Sequence, residues 1–434
     1  MKRLIALGSA LALSLSLAAC GGTPSSGTAS AENAATDGDV MHMMIVGSAA
    51  DQYRPGYEKI ISDFNANNEY GATVEVEFVS NSDYKTKLTT LMASDSEPDI
   101  IFTWELGYLE NFVNGGKIVS LQPYLDADPD WLNSFNDGML DQLTYNGEVY
   151  AIPTQETAAV MYYNKALFEQ CGLSVPTTYE EYRNCCDTLL ANGITPVALA
   201  STPDDAWLVS QYIQQLSNGI AGYDLFESLK NGEGAWNDPA FVQAAQLFYE
   251  EVEAGYFEDG FTGVGADEAR ALFQNGQTAM YFNGCWENSN LDNADVCPVY
   301  EDVSCFAMPA VNPENNNISL GSVDTSFAIT KNCKNVDAAV ELLKQWTSPE
   351  QAAFLLYDYG RLPSTKIEPD ESKLTSLMAQ TIKVFGEQVA LTPWFDRVDT
   401  NIGNEFNNTC VAVSNGDDPQ SLFDSLQQYA ESNS

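Results

Sequence analysis

Several signals of secondary structure lie close together in residues 151–200, AIPTQETAAVMYYNKALFEQCGLSVPTTYEEYRNCCDTLLANGITPVALA. The rest of the chain is interpreted by comparison with this stretch. Pro153 follows a short extended run, so we expect the chain to turn there. Residues 158–163 are apolar and aromatic, which predicts a buried strand. Asn164 then stands at the N-cap position of a short helix, and Gly172 ends that helix.

A longer helix is predicted over residues 179–191, after a stiff extended linker that contains Pro176. Gly193 ends this helix, and one of its faces is apolar. A similar alternation of strands and helices occupies residues 43–102. Such alternation predicts parallel α/β layers, in which ligands bind at the carboxyl ends of the strands.

Two motifs in this stretch resemble those of a known family. YYNK at residues 162–165 resembles the YNK turn of that family, and PTTYEE at residues 176–181 resembles its pPxTWdEl helix. A tyrosine stands here where tryptophan is commoner. The family is that of the extracellular solute-binding proteins (family 1) of carbohydrate ABC transporters, which includes maltose-binding protein. Residues 271–280 and 360–364 resemble further segments of the family, so the similarity covers nearly all of residues 41–434.

The resemblance implies a two-lobe α/β fold of the periplasmic-binding-protein type (type II, Venus flytrap), in which hinge crossovers join the lobes. The expected division places residues 41–152 with 325–361 in lobe 1, and residues 153–324 with 362–434 in lobe 2. It also implies that a carbohydrate, which we expect to be an oligosaccharide, binds between the lobes and is delivered to the permease subunits of an ABC importer. We expect a monomer without a cofactor and without enzymatic activity.

The first residues have the features of a lipoprotein signal peptide. Residues 1–19 begin with two basic side chains and continue as an apolar core that is too short to span a bilayer. LAACG at residues 17–21 resembles a bacterial lipobox, which implies cleavage before Cys20 and attachment of a lipid that carries palmitate. Residues 20–40 are rich in Gly, Ser, Thr and Ala and are predicted to form a flexible tether. We therefore expect a lipid-anchored protein at the extracellular face of the bacterial cell membrane; an ordinary signal peptide with an incidental cysteine is the alternative.

The composition is that of an acidic globular protein. Hydrophobic residues make up 44% of the 434 residues, and the formal net charge is -42. A body of this length exceeds what one hydrophobic core normally supports, which again favours two lobes. The negative charge disfavours nucleic acid and anionic lipid as partners. It disfavours anionic small ligands as well, unless a local basic pocket overrides the mean charge.

The cysteines leave the disulfide pattern open. Eight remain if Cys20 is lipidated, and an even number in an exported protein permits disulfides. Cys297 and Cys305 are close enough in sequence to close a small loop. An anaerobic habitat would instead leave the thiols reduced.

Candidate ligand-binding residues come from a recurring pair of side chains. Sugars present polar edges and apolar faces, so their sites combine aromatic rings with planar hydrogen-bonding groups. The chain places tryptophan beside a carboxylate at four predicted strand ends or loops: Trp104-Glu105, Asp205 near Trp207, Trp286-Glu287 and Trp394 near Asp396. Gly284 is expected to allow a close backbone approach before Trp286. With the strand-end residue Asn81 and with crossover positions that the resemblance implies, the candidates are Asn81, Trp104, Glu105, Glu156, Trp207, Trp286, Glu287, Asp324, Arg361, Trp394 and Asp396.

Other chemistries find less support in the sequence. His42 is the only histidine, which nearly excludes a Ser–His–Asp triad or a histidine zinc site. Residues 126–130 imitate the start of a calcium loop but lack its glycine, so we interpret them as a surface turn and expect no metal site. A glycoside hydrolase that uses an Asp/Glu pair remains open, as does a ligand-sensing partner of a membrane receptor.

Overall fold

The structure is a computed structural model that describes residues 40–433. The predicted signal peptide, Cys20 and the predicted tether before Val40 lie outside the described residues. Within the described part, the strands are β1 Val40–Val46, β2 Thr73–Val79, β3 Ile100–Thr103, β4 Thr144–Tyr145, β5 Glu148–Val149, β6 Ile152–Asn164, β7 Thr195–Ala198, β8 Thr278–Gly284, β9 Val303–Phe306, β10 Ile318–Ile329 and β11 Ala390–Thr392. The helices are α1 Arg54–Ala66, α2 Asn81–Ala93, α3 Gly107–Asn114, α4 Gln122–Ala127, α5 Pro129–Leu132, α6 Lys165–Gln170, α7 Tyr179–Ala191, α8 Ala206–Ala221, α9 Tyr223–Lys230, α10 Pro239–Glu253, α11 Ala266–Gln274, α12 Asn288–Leu291, α13 Val336–Trp346, α14 Pro349–Tyr359, α15 Ser376–Gly386, α16 Thr400–Ser414 and α17 Pro419–Asn433.

One mixed sheet runs through the described residues in the order β2-β1-β3-β10-β6-β8-β7, with β9 beside β6 and β11 beside β10. β1 pairs in parallel with β2 and β3, and β7 pairs in parallel with β8. The long strands β6 and β10 run antiparallel to each other and to β3 and β8. The prediction of parallel strands is therefore correct at the two flanks of the sheet and wrong in its middle. The middle strands are antiparallel because the chain crosses there from one half of the molecule to the other and returns.

β6 and β10 are the hinge strands. The first half of β6 pairs with β10, and its second half pairs with β8 and β9. β10 begins beside β11 and ends beside β3, so both strands belong to both lobes. The chain crosses a third time at Leu362, whose carbonyl oxygen accepts a hydrogen bond from the Glu156 backbone N–H at 3.0 Å.

The predicted turn at Pro153 is wrong. β6 continues through Pro153, which lies opposite Ser326 in β10. The register between the two strands is irregular from Val323 to Ser326, next to this position. Proline is tolerated in a strand where the ladder is irregular, since its missing N–H then removes no regular hydrogen bond.

The helices of the stretch 151–200 are confirmed. The Asn164 side chain accepts a hydrogen bond from the Leu167 backbone N–H at 3.1 Å and so caps α6. α7 has the predicted bounds. Gly172 and Gly193 follow these helices with φ of +68° and +71°, the left-handed conformation in which glycine ends a helix without strain.

Two large hydrophobic clusters lie on either side of the hinge strands. One draws its buried members from residues 41–152 and 323–355. The other draws them mainly from residues 159–308 and 394–430. Each lobe thus has its own core, while the residue limits of the lobes given above remain a prediction. No helix among the described residues has the length and apolar character that a membrane span requires.

The eight cysteines of the described part are unpaired. Cys297 Sγ lies 4.0 Å from the carbonyl oxygen of Gln274, and Cys305 Sγ lies 3.5 Å from Thr381 Oγ1. The small loop that a disulfide between Cys297 and Cys305 would close is therefore not cross-linked.

A buried carboxyl group in α10 makes the stability of the second lobe depend on pH. Glu251 is fully buried and accepts hydrogen bonds from the Tyr179 and Tyr212 hydroxyls, both at 2.6 Å. Burial raises the pKa of Glu251 from 4.5 to about 7. The folded state therefore holds this proton more tightly than the unfolded chain, so the stabilisation is complete below pH 4.5 and is lost as the pH rises through 7.

We expect the contribution of Glu251 to the free energy of unfolding to fall by about 2 kcal/mol between pH 5 and pH 8. Urea unfolding at both pH values should show a smaller fall in Glu251→Gln. Glu253→Gln, the same change on an exposed residue at the end of α10, is the matched control and should keep the wild-type dependence. Equal pH dependence in all three proteins would contradict the prediction.

Candidate ligand-binding cleft

A cleft of about 560 Å³ lies between the two lobes. Residues that directly follow β1, β2 and β3 form one wall, and residues that follow β7 and β8 form the other. Asp324 and Thr325 of the hinge strand β10 lie between the walls, together with Arg361 at the third crossing. The cleft thus occupies the position that strand ends favour for ligands in α/β proteins.

Most of the predicted site residues are brought together here. Asn81 begins α2, Trp104 follows β3, and Trp207 lies in the first turn of α8. The predicted residues that line the cleft are Asn81, Trp104, Trp207, Trp286, Glu287, Asp324, Arg361 and Asp396. Sequence analysis could find them because each follows a strand or occupies a crossover.

Glu105, Glu156 and Trp394 do not line the cleft. Glu105 is fully buried, because neighbouring residues at a strand end point to opposite sides and Trp104 takes the cleft side. Glu156 accepts a hydrogen bond from Asn136 Nδ2 at 3.0 Å, and burial raises the pKa of Glu156 to about 7. Trp394 is 2% exposed and packs against Trp286.

Trp286 is at the centre of an aromatic cluster. Its ring centroid lies 5.9 Å from that of Trp207 and 5.9 Å from that of Trp394. Gly284 makes this packing possible, since a Cβ at that position would lie 2.1 Å from the Trp286 ring. The expected close approach at Gly284 is confirmed, and it is the Trp286 side chain that approaches.

Gly284→Ala is expected to push the Trp286 ring from its place. We expect a cost of about 1–2 kcal/mol in the free energy of unfolding, in the lower part of the range for overpacking, since the ring can move into the open cleft. Tryptophan fluorescence and urea unfolding measure the two effects. Gly386→Ala, where a Cβ would meet no atom within 4 Å, is the control. An unchanged tryptophan spectrum in Gly284→Ala would contradict the prediction.

Arg361 joins several residues between the walls. It is 4% exposed and forms an ion pair with Asp324. The same guanidinium donates to Thr325 Oγ1 at 3.3 Å and to the Tyr57 hydroxyl at 3.4 Å. Through Tyr57, this network connects the third crossing and β10 with α1 of the first lobe.

Arg270 fixes the carboxylate beside Trp286. Its Nε and Nη2 donate to the two oxygens of Glu287 at 2.6 and 2.9 Å, which is a bidentate pair. Asn290 Nδ2 donates to the same carboxylate at 3.0 Å. Asp51 of the facing lobe lies 3.9 Å from Arg270, and burial raises the pKa of Asp51.

Residues 50–353 match the family of bacterial extracellular solute-binding proteins. The chain belongs to this family. A multiple sugar-binding protein of Streptococcus mutans is 24% identical over 340 residues, which cover 76% of this chain and 77% of that protein.

Solved structures show the same fold. A chitin oligosaccharide binding protein has a TM-score of 0.85 at 23% identity, over 92% of this chain and 99% of that one. A structure from work on xylan utilization by the thermophilic bacterium Caldanaerobius polysaccharolyticus has a TM-score of 0.83 at 26% identity, over 90% and 99%. The family resemblance and the two-lobe α/β fold predicted from the sequence are confirmed.

The further polar residues that line the cleft of this solute-binding protein include Gln211 and Lys85. Gln211 is 3% exposed, and its Oε1 has no hydrogen-bond partner within the described residues. It follows Trp207 by four residues in α8, so helical spacing from a candidate could have identified it. Lys85 lies in the facing wall, 3.6 Å from Asp396 and over the Trp104 ring at 5.1 Å from its centroid.

The cleft of the solute-binding protein offers aromatic faces and fixed carboxylates. Within residues 40–433, no group of three or more His, Cys, Asp or Glu side chains is arranged to hold a metal ion. Asp128, in the segment that imitates a calcium loop, accepts a hydrogen bond from the Trp131 backbone N–H at 3.1 Å and caps α5. The carboxylates and amides in the cleft can orient hydroxyl groups, and the indole rings can stack on apolar ring faces.

Proposed function

We propose that this protein captures a carbohydrate, an oligosaccharide in our hypothesis, between its lobes and delivers it to the permease subunits of an ABC importer. It does so as a monomer at the extracellular face of the bacterial cell membrane, held there by a lipid on Cys20. The relatives support the ligand class: one is named a multiple sugar-binding protein and another a chitin oligosaccharide binding protein.

The arrangement around Trp286 carries the proposal. Its partly exposed indole lies in the cleft next to Glu287, and Trp207 extends the aromatic surface. A sugar ring can stack on such a surface while its hydroxyls reach the carboxylate beside it. An apolar ligand would leave the buried Gln211 carbonyl oxygen, which has no hydrogen-bond partner among the described residues, unsatisfied, and that would cost affinity.

Closure follows from contacts to both walls. Asn81 and Trp104 belong to the first lobe, whereas Trp207 and Trp286 belong to the second. A ligand that touches both walls stabilises the closed arrangement by its additional contacts. The hinge strands β6 and β10 permit this motion because they continue from one lobe into the other.

The family does not favour the glycoside hydrolase, since its members are binding proteins rather than a class of enzymes. A thermal-shift screen of the purified protein against oligosaccharides, with product analysis of every hit, separates the two functions. A sugar that raises the melting temperature and is recovered intact supports the proposal. Recovery of shorter sugars would contradict it and would make the carboxylates catalytic.

A further inference from the structure

The cleft is lined by more negatively than positively charged side chains. Among the described residues that line it, eight are carboxylates and four are cations. The carboxylates are Asp51, Asp204, Asp205, Asp267, Glu268, Glu287, Asp324 and Asp396, and the cations are Lys85, Arg270, Arg361 and Arg397. An anionic ligand would need a cation that is not already neutralised, so the partners of these four cations matter.

The three arginines are committed to carboxylates of the protein. Arg270 holds Glu287 with two hydrogen bonds, and its Nη1 lies 2.8 Å from Asp267. Arg361 pairs with Asp324. The guanidinium groups are also largely buried, with side-chain exposures of 12% and 4% for these two.

Arg397 is paired behind the cleft wall. Its Nη1 lies 2.8 Å from both oxygens of the buried Glu105 carboxylate, and the guanidinium stacks on Trp394 with its carbon 4.0 Å from the ring centroid. A ligand carboxylate that took over the pairing at Nη1 would have to displace Glu105, which would then be buried without a partner.

Lys85 is the most exposed of the four cations, at 36% of its side chain. Asp396, at 11% exposure, lies 3.6 Å from its ammonium group, and the Trp104 ring lies beneath that group. Even this cation is therefore shared between a carboxylate and the negative face of an aromatic ring.

Two of the helix N-termini at the cleft, those of α2 and α11, carry carboxylates as well. Helix N-termini attract anions because their backbone N–H groups are free and the helix dipole is positive there. Asp205 Oδ2 accepts the Ala266 backbone N–H at 2.9 Å at the start of α11, and Asp83 lies in the first turn of α2. The cations of the cleft and these two helix N-termini are thus already engaged by carboxylates of the protein.

The buried amide in the cleft favours a hydrogen-bond donor. Gln211 is 3% exposed, lines the cleft, and has a carbonyl oxygen without a partner in the described part of the chain. A sugar hydroxyl or acetamido N–H can donate to this oxygen, whereas an ionised carboxylate or sulfate has no donor to offer.

We infer that the cleft selects uncharged glycans and excludes those that carry carboxylate, sulfate or phosphate groups. This inference rests on the proposed function and makes its substrate class narrower. Each of the four cations is paired with a carboxylate of the protein, although the buried Nε of Arg361 has no hydrogen-bond partner among the described residues. An acidic sugar would enter among excess carboxylates and find each cation occupied, and such like-charge contacts cost binding energy.

Calorimetric titration with matched probes tests the inference. Xylotetraose and fully N-acetylated chitotetraose are neutral, whereas glucuronic-acid-substituted xylotetraose and tetragalacturonate carry carboxylates. We expect at least one neutral probe to bind and the carboxylated probes to bind at least about 50-fold more weakly. A carboxylated probe that binds within about threefold of the best neutral probe would overturn the inference and leave the proposed function standing. If no probe binds and the thermal-shift screen gives no hit either, the proposed function falls, and the inference falls with it.

Asp396→Asn tests whether the pairing of cations with the protein's own carboxylates causes the preference for uncharged glycans. It removes the carboxylate beside Lys85, so the ratio of carboxylated to neutral affinity should rise at least about fivefold. Asp128→Asn is the matched control, because Asp128 pairs with Lys344 at 2.9 Å beside Trp131 in the same manner but outside the cleft. Asparagine caps a helix as well as aspartate does, so α5 is preserved. If the ratio of carboxylated to neutral affinity is the same in Asp396→Asn and Asp128→Asn, the pairing of Lys85 with Asp396 does not cause the selectivity.

Discussion

Trp286→Ala should weaken oligosaccharide binding by about 1–3 kcal/mol, which is roughly 5- to 150-fold in the dissociation constant. The substitution removes the ring that lies between Trp207 and Trp394 and faces the cleft. Titration calorimetry with a sugar identified by the thermal-shift screen gives the affinity. Urea unfolding shows whether the variant is folded.

Trp286→Phe keeps an aromatic face and is the control for this prediction. It should retain most of the affinity that alanine loses, because a smaller ring still stacks on a sugar. If the alanine variant is folded and binds as tightly as the wild type, Trp286 does not belong to the binding site.

Glu105→Gln should lower the free energy of unfolding by about 3–5 kcal/mol. The amide leaves the Arg397 guanidinium, whose side chain is 10% exposed, without its negative partner. Arg397 also donates to the Val323 carbonyl oxygen of β10 at 3.2 Å, so the unpaired charge lies against a hinge strand. Urea unfolding at pH 7 measures the loss.

Glu110→Gln provides the matched control for Glu105→Gln. Glu110 lies in the first turn of α3 and is exposed, so the same substitution there should change stability by less than about 0.5 kcal/mol. A loss below about 1 kcal/mol in Glu105→Gln would mean that the buried pair contributes little to the folded state.

Local signals were sufficient to predict parts of the fold. α6 and α7 depend on a capping side chain and on glycines that follow each helix, and these residues act within a few positions of one another. The chain direction at Pro153 depends instead on β10, which is far away in sequence and accommodates the proline by an irregular register. A single sequence contains no signal for that pairing.

The candidate site also contains residues that local signals could predict and residues that they could not. Trp104, Trp207 and Trp286 could be predicted because they follow strands, and strand ends converge on one edge of an α/β sheet. Glu105 and Trp394 could not be placed, because only the packing of the two lobes decides which of two adjacent side chains is turned inward. The cationic partner of Glu105, Arg397, is equally a product of tertiary structure.

The hinge strands also determine when the chain can finish folding. Ser326 donates a hydrogen bond to the Thr103 carbonyl oxygen, 223 residues earlier, where β10 joins β3. The sheet of the first lobe therefore lacks an interior strand until most of the polypeptide has been synthesised, and pairing over such a separation is slow. We expect nascent chains that end before β10 to remain unfolded, so most of the chain is made before the first lobe can close its sheet.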